Sequence, residues 1–574
     1  MLHVKLEERL RAAVSAVLPD AELTAVQVRP CPDPKFGDYQ TTSLMALAKE
    51  RKMNPRQIAT DVLAKLDVSE WCEQVEIAGA GFLNFRVKAS AVGAELEAAL
   101  RTRPLFFNAT ASPRMVVIDF SSPNVAKPMH VGHIRSTILG DSLARVLRLL
   151  GHRVITDNHI GDWGTQFGKL IVGWKRALDR AALDKDPIGE MERLYKKINT
   201  ESESNPATLE EARLELVKLQ RGDETNLAIW REMIALSQVQ FDTIYRRLGV
   251  RFDHSFGESF YNPHLLRVAE EMSALGIARE SEGALAIFFE DVPALKEQPA
   301  LIRKSDGGFN YTTTDLATLE YRLQSWKPDE IVYVTDGRQQ LHFQQLFAAF
   351  RKWHANIPIK LAHVWFGSIL GDDGKPFKTR SGETVKLADL LDEAEERAFA
   401  VVSDKNPDLP ELQRREIARV VGIGAVKYAD LLPNRQSDYV FSWDKMLALQ
   451  GNTAPYLQYA YARIRSIFRK GSGVGTEAKA DTSIHLATSH EIALAKHLLR
   501  FGLVLDAVAE DYRPNFLCNY LYDLAGLFAG FYENCPVLKA EPAERASRLA
   551  LADLTGRVLK QGLELLGIET LEQM

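Results

Sequence analysis

His130 and His133 stand three apart in "KPMHVGHIRS", with Gly132 between them and Lys127 just ahead. Residues three apart on a helix share a face. The stretch lies where a loop runs into a helix, and a helix N-terminus offers free N–H groups and a dipole that favour anions. Two imidazole donors over such an end suit a polyphosphate, above all charge that develops on a bridging oxygen. Gly132 leaves room for a ligand to approach the backbone. The plain alternative is a pair of capping or surface histidines. A second basic stretch, "FKTRS" (377–381), carries Lys378 and Arg380 between glycines. It is either a phosphate-binding loop or a solvated basic hairpin.

Such residues need a scaffold, and the sequence supplies one. "RMVVIDF" is an apolar run suited to a buried parallel strand. A loop and a helix follow, with Gly151 as its expected C-terminal cap. "HRVITDN", "DEIVYVT" and "LAHVWFG" read as three more strands. Strands alternating with helices predict a doubly wound α/β sheet, which binds ligands beyond the carboxyl ends of its strands. The unusual polar residues follow those ends: Asp119 to His133, "HIGDWG", "DGRQQLH" and "GSILGDDGKPFKTRSG". Four loops converge on one rim.

The chain has 574 residues, enough for several domains. Its 46% hydrophobic and 26% charged content is that of a globular protein. No apolar run approaches the roughly 18 residues of a membrane helix. The opening "MLHVKLEERLRAAVSAVL" reads as an amphipathic helix rather than a signal or transit peptide. Cys31, Cys72, Cys518 and Cys535 are scattered without a CxxC, which fits a reducing compartment and excludes a zinc or disulfide framework. A cytoplasmic protein is expected. The net charge of −5 does not announce a nucleic acid, so that case rests on motifs.

Three parts are expected. Residues 1–110 read as helix, loop, helix and short strands, with "VEIAGAGFLNFRVKA" as one strand broken by glycines and "RTRPLFFNATASPR" as a linker. Residues 111–455 hold the chemistry. Residues 456–574 are helix-period almost throughout. Residues 165–300 read as an insertion, with a charged helical run whose plain reading is a solvated face.

"SSPNVAKPMHVGHIRSTILGD" resembles the HIGH signature of class I aminoacyl-tRNA synthetases in the form found in the arginyl-tRNA synthetase family. "KFGDYQ", "GAGFLNFRV", "NHIGDWGTQFGKL", "DGRQQLH", "KPFKTRSGETVKL", "GNTAPYLQYAYARI" and the terminal "LLGIETLEQM" are similar to the same family. The resemblance spans essentially the whole chain. It implies a Rossmann-like, HIGH-superfamily catalytic domain with an inserted subdomain, an N-terminal α+β domain touching the tRNA elbow, and a C-terminal all-helical anticodon-binding domain. It implies ATP-dependent attachment of L-arginine to tRNA-Arg through an arginyl-adenylate, by a protein expected to be a monomer. Activation would wait for tRNA, and no editing domain is expected.

The same resemblance distributes roles. His130, His133, Lys127, Lys378 and Arg380 would be catalytic, with Arg380 standing where the KMSKS loop usually has lysine and Lys127 compensating. Gly132, Asp336, Gly337, Gly367 and Ser381 would meet ATP. Asp119, Asn124, Tyr311, Asp315 and Gln339 would hold arginine. Asp119 replaces a glutamate frequent in the family, so its reach is one methylene shorter. Read alone, Asp315 could be a helix cap. Tyr456, Tyr459 and Arg463 would meet tRNA, since aromatics and arginine suit unstacked bases; each tyrosine could equally be helix core. Mg²⁺ would accompany ATP, with phosphates and water as most of its ligands, and no structural metal is expected. Rival readings are an adenylating relative that uses no tRNA, a non-catalytic tRNA binder, and a synthetase for another amino acid.

Overall fold

In the computed structural model, which describes residues 1–102, 105–378, 384–471 and 477–574, the four apolar runs form one sheet. They are β1 (Met115–Phe120), β2 (Arg153–Asp157), β3 (Glu330–Val334) and β4 (Lys360–His363). Their order is β4-β3-β1-β2, and every neighbouring pair is parallel. Alternate residues serve opposite faces. Val116, Ile118 and Phe120 join the core that contains Ile134 and Ile138 of α1 (Val131–Leu149). Val117, Ile331 and Tyr333 join a second core with Leu316 and Leu319 of α2 (Tyr311–Trp326) and Phe343 and Leu346 of α3 (Gln340–Trp353). With both faces covered, the central strands β1 and β3 need no polar side, which is why they read as nearly continuous apolar runs. The chain winds outward from β1 to β2 in one direction and from β3 to β4 in the other. The crevice between β1 and β3 is therefore the place where such sheets take ligands.

Gly151 takes a left-handed φ of +91° two residues beyond α1, as the capping pattern requires. Residues 278–303 hold a separate antiparallel sheet of Ala278–Ser281, Ala284–Ile287 and Ala300–Arg303, which the sequence pattern does not reveal.

The N-terminal part differs from expectation in two ways. "VEIAGAGFLNFRVKA" is not one interrupted strand. Cys72–Ala78 and Phe82–Val87 pair antiparallel about a turn in which Gly79 and Gly81 have φ of +50° and +135°. Two short strands, Arg29–Pro30 and Tyr39–Thr41, also precede the second helix and complete a four-stranded sheet. Nor is "RTRPLFFNATASPR" a free linker, because Leu105, Phe106 and Phe107 are buried. Their backbone presses on helix Phe501–Asp511, where a Cβ at Gly502 would lie 2.4 Å from the Phe106 carbonyl oxygen. From α4 (Ala454–Lys470) onward the regular structure of the described residues is all helix. No helix among the described residues is long and apolar enough to cross a membrane. The architecture is a doubly wound α/β domain between an N-terminal α+β part and a C-terminal helical part.

Candidate active site

His130 does not share a helix face with His133. It is the N-cap of α1, with extended backbone (φ −124°, ψ 170°), and His133 is the third helical residue. The His130 Nδ1 accepts the Gly132 N–H at 3.1 Å, and the His133 Nδ1 accepts the His130 N–H at 3.1 Å. Two orphan N–H groups of the helix end are thereby satisfied. Capping and chemistry are not alternatives here. An Nδ1 that accepts from backbone leaves the ring hydrogen on Nε2. Burial pushes His133 down to about 3, helped by the neighbouring His130. His130 is lowered by burial, then by Arg338 and Lys127. Both rings are neutral Nε2–H donors at neutral pH. Gly132 has a reason of its own beside ligand access: a Cβ there would lie 2.8 Å from Cε1 and 2.9 Å from Nδ1 of His130. The glycine makes room for the ring.

The basic stretch is tied to this helix end by backbone. Lys378 and Thr384 pair as an antiparallel bridge, and His130 pairs likewise with Lys386. Val131 N–H donates to the Val385 carbonyl at 3.0 Å, and Leu387 N–H to the Met129 carbonyl at 2.9 Å. Arg380 and Ser381 lie outside the described residues. Lys378 is exposed. A buried guanidinium strengthens the link. Arg135 donates to the carbonyls of Gly367 (2.7 Å) and Ser437 (3.2 Å), and its Nε lies 3.0 Å from Asp430 Oδ1. Gly367 is thus a packing point, its Cβ position taken by Asp438 Oδ1 at 2.6 Å. Lys127 is exposed, with Nζ 5.3 Å from the Tyr195 ring centre. Asp336 caps the turn Gly337–Gln339 and accepts a fork from Arg338 at 2.8 and 2.9 Å. A Cβ at Gly337 would meet Trp365 at 3.0 Å.

The carboxylates sort into two sets. Asp119 is not open to a ligand as expected: it is 4% exposed, and its Oδ2 accepts from Arg322 at 2.6 Å. The same Arg322 nitrogen reaches Asp157 Oδ2 at 2.7 Å. Burial raises the Asp119 carboxyl against the pull of Arg322. The fully buried Arg322 stays charged despite its desolvation because both carboxylates face it. An internal guanidinium thus occupies the position that the sequence offers to a substrate.

Asp315 is different. It lies one turn into α2, whose cap is Asn310, so it is not a cap itself. Tyr311, in the first turn, is 59% exposed and shares its face. His342 of α3 places Nε2 2.6 Å from Asp315 Oδ2. Glu258, which the sequence reading missed, lies within electrostatic reach of Asp315; burial, then the charges of Asp315 and Asp162, push its carboxyl up to about 8. Gln339 is exposed where α3 begins. Asn124 is exposed beside Gly161, whose absent Cβ would lie 2.3 Å from its Oδ1. Two neighbouring carboxylates with an aromatic in the same region can grip a forked cation.

Three family models match in order: the arginyl tRNA synthetase N terminal domain over residues 4–87, the class I (R) tRNA synthetase catalytic domain over 95–443, and the DALR anticodon binding domain over 457–574. The chain belongs to the arginyl-tRNA synthetase family. The arginine–tRNA ligases of Chromobacterium violaceum and Erwinia tasmaniensis are each 46% identical to it, with 100% of both chains covered. The solved arginyl-tRNA synthetase of Thermus thermophilus is similar over 100% of both chains, with a TM-score of 0.85 and 28% identity. That of Plasmodium falciparum covers 100% of this chain and 99% of its own, with a TM-score of 0.84 and 29% identity.

In this family member the candidate tRNA residues sit on α4. Tyr459 is 47% exposed. Tyr456 is half-buried against Tyr522, with ring centres 5.7 Å apart. Arg463 lies over the Tyr532 ring at 4.6 Å. Tyr461 is the core member of the series: it is buried, and its hydroxyl donates to Glu572 at 2.7 Å. Arg465 pairs with the same Glu572 at 2.8 Å.

Proposed function

We propose that the chain joins L-arginine to tRNA-Arg in two steps, with the roles set out below. The carboxylate of arginine attacks the α-phosphorus of ATP, forming arginyl-adenylate and releasing pyrophosphate. The 2′-hydroxyl of the terminal adenosine then attacks the adenylate carbonyl, and AMP leaves. The observation that carries the reading is the pair of neutral Nε2–H donors at the N-terminus of α1, joined by a backbone ladder to the basic stretch. Donors held in place before the reaction stabilise charge as it develops. His130 and His133 would serve the phosphates, aided by Lys127, Lys378 and Arg380. Asp336 and Gly337 would hold the ATP ribose. Tyr311, Asp315, Gln339, Asn124 and the newly found Glu258 would hold arginine. Tyr459 and Arg463, with Tyr456, would meet anticodon bases. Mg²⁺ would travel with ATP, held mostly by its phosphates and water.

Charging of total tRNA with each of the twenty amino acids in turn tests the assignment. Arginine alone is expected to be esterified, and efficient charging with any other would refute it.

Glu258 adds a pH dependence. Its carboxyl titrates near 8 in the free site, so at pH 7 it holds a proton that a guanidinium must displace. Apparent arginine affinity is therefore expected to rise as pH increases from 6.5 toward 8.5 and to level off above. Each pH unit on the slope is worth up to tenfold. Arginine KM measured across that range, for wild type and Glu258→Gln, checks it. A slope that survives in Glu258→Gln belongs to another group.

A further inference from the structure

Asp315 presents two oxygens, and among the described residues only Oδ2 has a hydrogen-bonding partner. His342 Nε2 sits 2.6 Å from Oδ2. The imidazole is the third residue of α3, and Asp315 lies on α2. The bond therefore crosses between the two helices that cover one face of the sheet. The ring is fixed from two sides: Tyr311 meets it edge-on at 4.8 Å and Phe343 at 5.2 Å. The His342 Nδ1 is buried and has no hydrogen-bonding partner among the described residues. A carboxylate can only accept, so the ring hydrogen must be on Nε2. The opposite tautomer would put a lone pair against a carboxylate oxygen and leave a buried N–H unsatisfied.

We infer that His342 is a positioning residue for amino-acid selection: it donates Nε2–H to Asp315 Oδ2, locks the carboxylate plane, and leaves Oδ1 aimed at the guanidinium of the substrate. This rests on the reading that Asp315 grips arginine. The physical gain is preorganisation. A free carboxylate rotates about its last torsion, which is broad and shallow. A planar guanidinium needs the acceptor in one plane, whereas a lysine ammonium accepts many approaches. Holding Asp315 still therefore favours arginine over lysine as well as strengthening binding. Tyr311, exposed on its outer side, links the pocket wall to the same ring. A shift in the imidazole would reach the pocket through both the carboxylate and the tyrosine.

Three substitutions separate this role from packing. Gln places its amide nitrogen close to where the imidazole Nε2 lies. Asn reaches only as far as Nδ1, and Ala removes both. Arginine KM, ATP KM and kcat are measured for each variant in tRNA-supported adenylate formation, with thermal melting alongside and with lysine as competitor. His342→Ala and His342→Asn are expected to raise arginine KM by about 10- to 100-fold, the size of one lost charge-assisted hydrogen bond. ATP KM should stay within about twofold, and lysine should compete better. His342→Gln should recover most of the loss. Equal arginine KM in the Gln and Asn variants would overturn the inference, as would a common rise in both substrates' KM. Asp315→Asn distinguishes the two layers of the argument. If it leaves arginine KM unchanged, the reading of Asp315 has failed. If it raises arginine KM while His342→Ala does not, only the positioning role has failed. In the double variant His342→Ala should add little to Asp315→Asn, because residues acting through one another are not additive.

Discussion

His133→Ala is expected to slow adenylate formation by about 10²–10³ while leaving arginine and ATP binding nearly intact. The geometry gives the reason. The His133 Nδ1 is committed to the His130 N–H, so Nε2 is the only polar atom left for a substrate. A donor that meets charge appearing only as pyrophosphate leaves contributes to the transition state and little to the ground state. The substitution has a second consequence. It also removes half of a capping arrangement, which is typically worth about 1 kcal/mol of stability. Two further variants separate these effects. His133→Asn keeps an acceptor near the Nδ1 position and loses the distal donor, so it should melt like wild type and react as slowly as Ala. His133→Gln keeps a distal N–H and loses the cap, so it should react faster than Ala while melting lower than wild type. With His133 held near 3 by burial, its own protonation leaves no limb in the rate profile between pH 6 and 8. Single-turnover kinetics with separate ligand titrations decide the matter. A rise in ATP dissociation constant proportional to the lost rate would make the histidine an ordinary ground-state ligand.

What the sequence shows of this molecule depends on how local each feature is. β1 and β3 are legible because central strands covered on both faces write a nearly uninterrupted apolar run, and the flanking β2 and β4, each opening on an exposed residue, carry the same pattern more weakly. The hairpin of residues 72–87 is not, because its turn glycines sit inside a stretch that alternates on either side. Strand Ala278–Ser281 has three of four residues exposed, so it leaves no apolar trace. The histidine pair is legible because its function and its capping lie within four residues. The carboxylates are not. Asp119 stands at a strand end like a ligand, and what claims it is Arg322, 203 residues on. Glu258 opens a helix of only four residues, Glu258–Tyr261, too short to show a period, and only the electrostatic influence of Asp315 on its carboxyl reveals it. His342 lies in the quoted "DGRQQLH", yet its bond to Asp315 joins helices 27 residues apart. At Gly132 the sequence shows the missing side chain but not the His130 ring, which folds back into that space.

That sorting of carboxylates yields the second large effect. Asp315→Asn is expected to raise arginine KM by about 10²–10³, with ATP KM nearly unchanged. The asparagine keeps an acceptor for His342 and the helix keeps its cap, so the loss reports the missing charge. Breaking a buried ion pair costs about 3–5 kcal/mol. The Asp315 side chain is 22% exposed, which places this pair toward the weaker end of that range. Asp119→Asn should behave in the opposite manner. It leaves Arg322 buried with Asp157 as its one carboxylate, so the penalty falls on folding, and melting temperature should drop by several degrees. Arginine KM should change much less than in Asp315→Asn. The comparison is informative because both residues are aspartates near one crevice, and both were candidates on sequence grounds. If Asp119→Asn melted like wild type and lost arginine affinity as strongly as Asp315→Asn, Arg322 would have to release Asp119 when substrate arrives. The internal guanidinium would then be a placeholder for the substrate, exchanged on binding, rather than a fixed part of the wall.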